Sequence, residues 1–143
     1  DLVFDTKVRG ALTLAQTLRP DDLRFLVFFS SVAARYGYAG GTDYAAANDT
    51  LNRLAWVLDR GWPGRVVSIG WGPWADVGIA SRYPEELHIR QDLVRIPPRV
   101  GCNHFLNELL YGREGDAEVL IFGSWGGEPY ADAPARDLSL SHD

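Results

Sequence analysis

Three short runs of the chain are almost continuously apolar: "LRFLVFFS" at 23–30, "RVVSIGW" at 65–71 and "AEVLIFG" at 117–123. A strand with one wet face alternates apolar and polar residues. A run without alternation marks a strand covered on both faces, as in a parallel sheet. Between these runs the period changes. Leu2, Val3, Val8, Leu12, Leu14, Ala15 and Leu18 recur at roughly helical spacing through residues 1–18, until "RPDD" at 19–22 breaks the pattern. A second helix is predicted over 44–60, with Ala45, Leu51, Leu54, Ala55 and Leu58 on its apolar side and "GWPG" at its end. A third starts after Pro97 and Pro98, within "PPRVGCNHFLNELLYG". The order is helix, strand, helix, strand, irregular segment, helix, strand. Strands joined by long crossovers of this kind build a parallel α/β sheet with right-handed connections.

Three strands make a thin sheet, so further strands and a helix layer are expected from elsewhere. The sequence contains no methionine, so Asp1 is read as an internal residue of something longer. Residues 1–127 form the expected domain portion and 128–143 a tail or linker. "YGYAGGT" at 36–42 is a glycine-rich loop, and Thr42 or Asp43 is expected to cap the helix after it. Residues 75–97 look irregular, with at most one short helix near Pro84–Leu93, and are expected to form a lid.

Charge and composition narrow the function. With 14 Lys+Arg against 19 Asp+Glu, the net charge is -5, and no basic stripe points to nucleic acid or to an anionic membrane surface. No apolar run approaches the length of a membrane span. The single cysteine, Cys102, cannot form an internal disulfide, so a reducing, cytoplasmic setting is expected. Cys102 itself is expected to be a core residue at a helix start. His88 and His104 lie on separate segments without matching ligand pairs, so no metal site is expected.

In open parallel sheets, ligands bind beyond the carboxyl ends of the strands. Ser30 and Ser31, "GPW" at 72–74 and "GSWGG" at 123–127 all fall there. Taken singly, each has an ordinary structural role: a serine pair makes turns, and "WGPW" fits an aromatic corner of a core. Tyr44 opens the helix after the first strand, and Asn48 follows on the same helical face. A tyrosine used as an acid near neutral pH needs a cation beside it, because a free phenol ionises near pH 10 and an adjacent ammonium favours the ionised form. Asn48 carries no charge.

The ordered set is more specific than its parts. Lys7 in "VFDTKVRG", Ser31 closing "FLVFFSS", Tyr44 thirteen residues later, Asn48 four beyond that, and "VVSIGWGPW" one helix on together resemble the ketoreductase domain of polyketide synthases. This is a branch of the short-chain dehydrogenase/reductase superfamily, and the resemblance covers roughly residues 1–122. Most of that superfamily carries a Tyr and a Lys four apart on one helix, with an Asn on the preceding helix. In the polyketide branch the Lys and Asn are exchanged, and Lys7 and Asn48 match the exchanged pattern.

The resemblance implies the C-terminal half of a Rossmann-like, doubly wound parallel sheet. It implies reduction of a β-ketoacyl thioester on an acyl carrier protein, with NADPH as cofactor. Tyr44 would give the proton, Lys7 the positive field and a contact to the cofactor ribose, and Ser31 a hydrogen bond to the ketone oxygen. Asn48 would orient Lys7 or a relay water, and the backbone of Gly72, Pro73 and Trp74 would lie against the nicotinamide. No G-x-G-x-x-G phosphate turn occurs in the chain, so the N-terminal half of the same domain is the expected partner and the chain alone is expected to be inactive. A Trp found eight residues before the tyrosine in one stereochemical class is Tyr36 here, which leans toward the other class. The run from Ser30 to Trp56 looks closer to iterative synthases of the enediyne or polyunsaturated fatty acid kind. Two alternatives stand beside this reading: a non-catalytic structural subdomain of a synthase, and a short-chain dehydrogenase acting on a free small substrate. The first has no need of Lys7, Ser31, Tyr44 and Asn48 together, and the Lys/Asn exchange speaks against the second.

Overall fold

The computed structural model describes residues 2–37, 39–78 and 93–123. The expected short helix near Pro84–Leu93 falls almost wholly outside these residues, as do Ser124–Gly127 of the third patch and the tail. The elements are α1 (Leu2–Thr17), a single 3-10 turn (Pro20–Asp22), β1 (Phe25–Ser31), a short α2 (Ala33–Tyr36), α3 (Thr42–Asp59), β2 (Arg65–Trp71), α4 (Pro98–Tyr111) and β3 (Glu118–Ile121). The strands form one parallel sheet in the order β1-β2-β3. Phe25 lies opposite Arg65 and Ser31 opposite Trp71, while Ser68 lies opposite Glu118.

The expected alternation of helices and parallel strands is therefore present, and helices cover both faces of the sheet. On one face Ala11 of α1 and Leu51 and Ala55 of α3 pack with Phe28, Val66 and Ala117. On the other, Val67, Ile69, Trp71 and Ile121 pack with Ile96, and Val100 and Phe105 of α4 close over them. Each fully buried Val, Leu, Ile or Phe contributes about 1.5–3 kcal/mol by leaving water. β2, the central strand, is buried at every position but its first. β1 departs from the expectation of a strand covered on both faces, because Phe25 and Phe29 remain 46% and 53% exposed.

Helix α1 is more selective than its apolar pattern predicts. Leu2, Val3, Leu12 and Leu14 are exposed, whereas Val8 and Ala11 are buried. The inward stripe is Phe4, Val8, Ala11, Ala15 and Leu18, at the i, i+4, i+7 spacing of one helix face. In α3 the buried residues are Ala47, Asn48, Leu51, Asn52 and Ala55, so two asparagines share the sheet-facing side. Neither Thr42 nor Asp43 caps this helix. Gly41 is the N-cap, no side chain bonds there, and Thr42 is the first helical residue. Cys102 is exposed rather than in the core. The buried position beside it is Gly101, whose missing side chain makes room for the Trp74 ring; a Cβ there would lie 2.4 Å from that ring.

Two polar clamps hold the amino ends of the strands. Arg65 at the start of β2 donates to the carbonyl of Glu108 at 2.8 Å and pairs with its carboxylate, which ties the sheet to the end of α4. The Val66 N–H donates to Asp59 Oδ1 at 2.8 Å and fixes the turn from α3 into β2. That turn also needs Gly64, where a Cβ would lie 2.2 Å from the carbonyl oxygen of Leu23. The obstructing atom is backbone and cannot swing aside. Gly64→Ala is expected to destabilise the protein by about 1–3 kcal/mol in urea unfolding, as overpacking does. An unchanged midpoint would mean that the two segments are not this close.

Candidate active site

The carboxyl end of β1 gathers most of the polar residues named from the sequence. Lys7, on α1, donates from Nζ to the carbonyl oxygen of Phe29 at 3.0 Å. Its Nζ also lies 5.8 Å from the centroid of the Tyr44 ring, in the first turn of α3. Two helices that precede and follow the same strand thus bring an ammonium and a phenol together. Burial pushes the Lys7 pKa below the ordinary lysine value. Lys7 is also the only lysine in the chain; the other thirteen of its 14 basic residues are arginines.

Asn48 is fully buried, one turn beyond Tyr44. Its Nδ2 donates to the Tyr44 carbonyl at 2.7 Å, and its own carbonyl accepts from Ser30 Oγ at 3.1 Å. Asn48 therefore links the tyrosine helix to β1 but makes no hydrogen bond to Lys7. Its Oδ1 is buried with no partner, an acceptor left available within the site. Ser31 Oγ accepts the Ala33 N–H at 3.2 Å and so starts α2. Used as an acceptor, the hydroxyl retains its proton for donation.

The segment "GPW" begins beside Ser31, because Ser31 pairs with Trp71 and Val32 N–H donates to the Trp71 carbonyl at 3.0 Å. The Gly72 N–H donates to Ile121 O at 2.8 Å, the Pro73 carbonyl accepts from Ile96 N–H at 2.8 Å, and Trp74 bridges to Ile96. The Trp74 ring turns inward onto Trp71, with centroids 4.9 Å apart, so what this stretch presents is backbone. The Trp71 indole N–H is buried and unpaired. Of the expected lid, residues 75–78 and 93–97 are described; Leu93 and Ile96 are buried, and residues 79–92 lie outside the described residues.

Likeness to known proteins decides what this geometry belongs to. The KR domain family matches residues 1–76, a span that contains Lys7, Ser31, Tyr44, Asn48 and Gly72 through Trp74. The chain belongs to the KR domain family, the ketoreductases of polyketide synthases. Among relatives, it is 36% identical over 126 residues to a polyunsaturated fatty acid synthase protein from a Thraustochytrium strain, covering 87% of the chain and 4% of that protein. It is 42% identical over 80 residues to polyketide synthase GfsA of Streptomyces halstedii, covering 55% of the chain and 1% of that protein. Among solved structures, the ketoreductase from the first module of phoslactomycin biosynthesis in Streptomyces sp. HK803 superposes with a TM-score of 0.70 at 31% identity, over 81% of the chain and 26% of that structure. The first ketoreductase of the tylosin synthase gives 0.68 at 35% identity, over 84% and 27%. The chain thus spans about a quarter of these ketoreductases and a few per cent of the synthases. The fold is that of the Rossmann-like short-chain dehydrogenases.

Sequence reasoning missed one polar cluster. Asn52 and Ser68 are buried, and with Glu118 and Arg35 they form a continuous chain of hydrogen bonds. The signals were present: Asn52 repeats the four-residue step from Tyr44 to Asn48, and Glu118 is a lone acid in an otherwise apolar strand.

The Lys7 shift has a testable sign. Between its lowered folded value and 10.5, the unfolded chain holds a proton that the folded chain has released, so this residue makes stability rise with pH across that window. With a 13Cε label confined to this chain's one lysine, an NMR titration of the folded domain is expected to show a midpoint below 10.5. A midpoint at or above it would show that the side chain is not desolvated.

Proposed function

We propose that this chain supplies the catalytic half of a ketoreductase that reduces a β-ketoacyl thioester, carried on an acyl carrier protein, to the β-hydroxyacyl form. The observation that carries this reading is the Lys7 ammonium beside the Tyr44 ring, delivered from a separate helix inside the family match. NADPH, when bound, supplies the hydride.

The residues present fit one end of that cofactor. Lys7 would contact a ribose hydroxyl, and the backbone of Gly72, Pro73 and Trp74 would lie against the nicotinamide. The unpaired Asn48 Oδ1 gives the site an acceptor that a bound water or ligand hydroxyl would satisfy. The phosphate end does not fit, since no G-x-G-x-x-G turn occurs in the sequence. That end is assigned to the N-terminal half of the same domain.

Hydride addition to the ketone carbon leaves negative charge on its oxygen. Ser31 would donate its unspent hydroxyl proton as a hydrogen bond to that oxygen, fixing its place and stabilising the charge. Tyr44 would transfer its phenolic proton to the same oxygen, completing the hydroxyl. The Lys7 ammonium would stabilise the tyrosinate left behind. Asn48 would hold a water that returns a proton toward Tyr44.

The test is NADPH oxidation with a β-ketoacyl thioester, using a domain that includes the N-terminal half. Tyr44→Phe is expected to lower turnover by about 10²–10⁴-fold, the usual weight of a general acid, with cofactor binding retained. Lys7→Met is expected to lower the rate, because the charge that would stabilise the tyrosinate left after proton transfer is gone. A Tyr44→Phe variant with the wild-type rate would overturn the assignment.

A further inference from the structure

The cluster absent from the sequence reading runs across four elements. Ser68 Oγ, on β2, donates to Asn52 Oδ1 at 2.7 Å. Asn52 Nδ2, on α3, donates to Glu118 Oε1, on β3, at 3.1 Å. Glu118 Oε2 accepts from Arg35 of α2 at 2.7 Å. Asn52 and Ser68 have at most 1% of their surface exposed, and the Glu118 side chain 8%, whereas the Arg35 side chain is 48% exposed. Both amide groups of Asn52 are used, so its orientation is fixed by a hydroxyl on one side and a carboxylate on the other.

The surroundings give this chain of bonds its importance. Tyr44 sits in the first turn of α3, and that end of the helix has no side-chain cap. The loop leading to it contains Gly37 and Gly40 with φ of 75° and 80°, a left-handed backbone that glycine adopts freely. Neither feature anchors this end of the helix; Asn48, one turn on, bonds the Tyr44 carbonyl and, through its own carbonyl, Ser30 of β1. Asn52 lies two turns further along, roughly 12 Å down the helix axis, on the same sheet-facing side as Asn48. Its paired bonds to β2 and β3 resist rotation of α3 about its axis, and such rotation would swing Tyr44 away from Lys7. Arg35 acts on the other end of the loop. It fastens α2 to β3, and Tyr36 beside it packs edge-on against Phe122 at 6.1 Å.

We propose that the Ser68–Asn52–Glu118–Arg35 chain fixes the position of Tyr44, and that Arg35 and Glu118 are positioning residues for the reduction. This rests on the ketoreductase reading, in which Tyr44 gives the proton. The Arg35 side chain is half exposed but Glu118 is only 8% exposed, so losing Arg35 leaves a largely buried carboxylate with its Asn52 bond alone, at a cost of about 1–3 kcal/mol, which is below the usual stability of a domain. A small displacement of a catalytic group costs up to about 10²-fold in rate.

The experiment uses the domain with its N-terminal half, NADPH and a β-ketoacyl thioester. Arg35→Ala is expected to lower kcat by about 10- to 100-fold, with the KM for NADPH within about twofold of wild type. Arg35→Lys should recover part of that loss, because one charged donor remains. Glu118→Gln should behave like Arg35→Ala; should it fail to fold, the Arg35 variants carry the test. The decisive arm is a double-mutant cycle. In a Tyr44→Phe background, Arg35→Ala is expected to cause no further loss, because its effect passes through the tyrosine. Wild-type kcat in Arg35→Ala, or a loss of equal size with and without Tyr44, would overturn the proposal. The ketoreductase reading fails separately, if Tyr44→Phe alone keeps the wild-type rate.

Discussion

The hydrogen bond from Lys7 Nζ to the Phe29 carbonyl holds the one lysine of the chain where its charge can act. An ammonium half withdrawn from water must be satisfied, and a main-chain carbonyl on β1 does this without neutralising it. That leaves the positive field directed at the Tyr44 ring, 5.8 Å away. Everything else at this end of the sheet serves that meeting. β1 carries the carbonyl, α1 brings the lysine from one side, and α3 brings the tyrosine from the other. The small inward residues Ala11, Ala47 and Ala55 let these helices seat closely on the core.

The parallel sheet was readable because its strands had no wet face to encode. β2 shows this most plainly, with six of its seven residues buried. β1 was less readable. Phe25 and Phe29 look like core residues by type, yet both are exposed: they share with Val27 the face that α4 covers, and among the described residues α4 closes over β2 and β3 but only partly over β1. The apolar pattern of α1 misled for a related reason. Leu12 and Leu14 are as apolar as Val8, and composition alone does not say which stripe faces α3. Cys102 was misplaced because the neighbouring Gly101, a residue with no side chain, turned out to make the critical contact with Trp74.

The site was legible as a set of residues and much less so as a set of bonds. The spacing of Tyr44 and Asn48 predicts a shared helical face, and they do share a bond. The same spacing cannot show that Asn48 bonds to Ser30 and to its own helix rather than to Lys7. Nor can it show that Ser31 spends a lone pair on α2 while keeping its proton. The buried chain through Asn52 depends on side chains up to 83 positions apart in sequence, which no local pattern encodes. The chain belongs to the KR domain family and covers about a quarter of the solved ketoreductases it resembles; that the polar cluster serves a reduction is our proposal.

The central claim is that a cation from α1 and a phenol from α3 meet over one ketone oxygen beside β1. A crystal structure of the domain with its N-terminal half, bound to NADP+ and a β-hydroxyacyl thioester, tests it directly. The account predicts Tyr44 Oη and Ser31 Oγ both within hydrogen-bond distance of the hydroxyl oxygen, about 2.5–3.0 Å, with Lys7 Nζ beside the nicotinamide ribose. A substrate oxygen bound away from Tyr44, or a Lys7 side chain turned out to solvent, would contradict it.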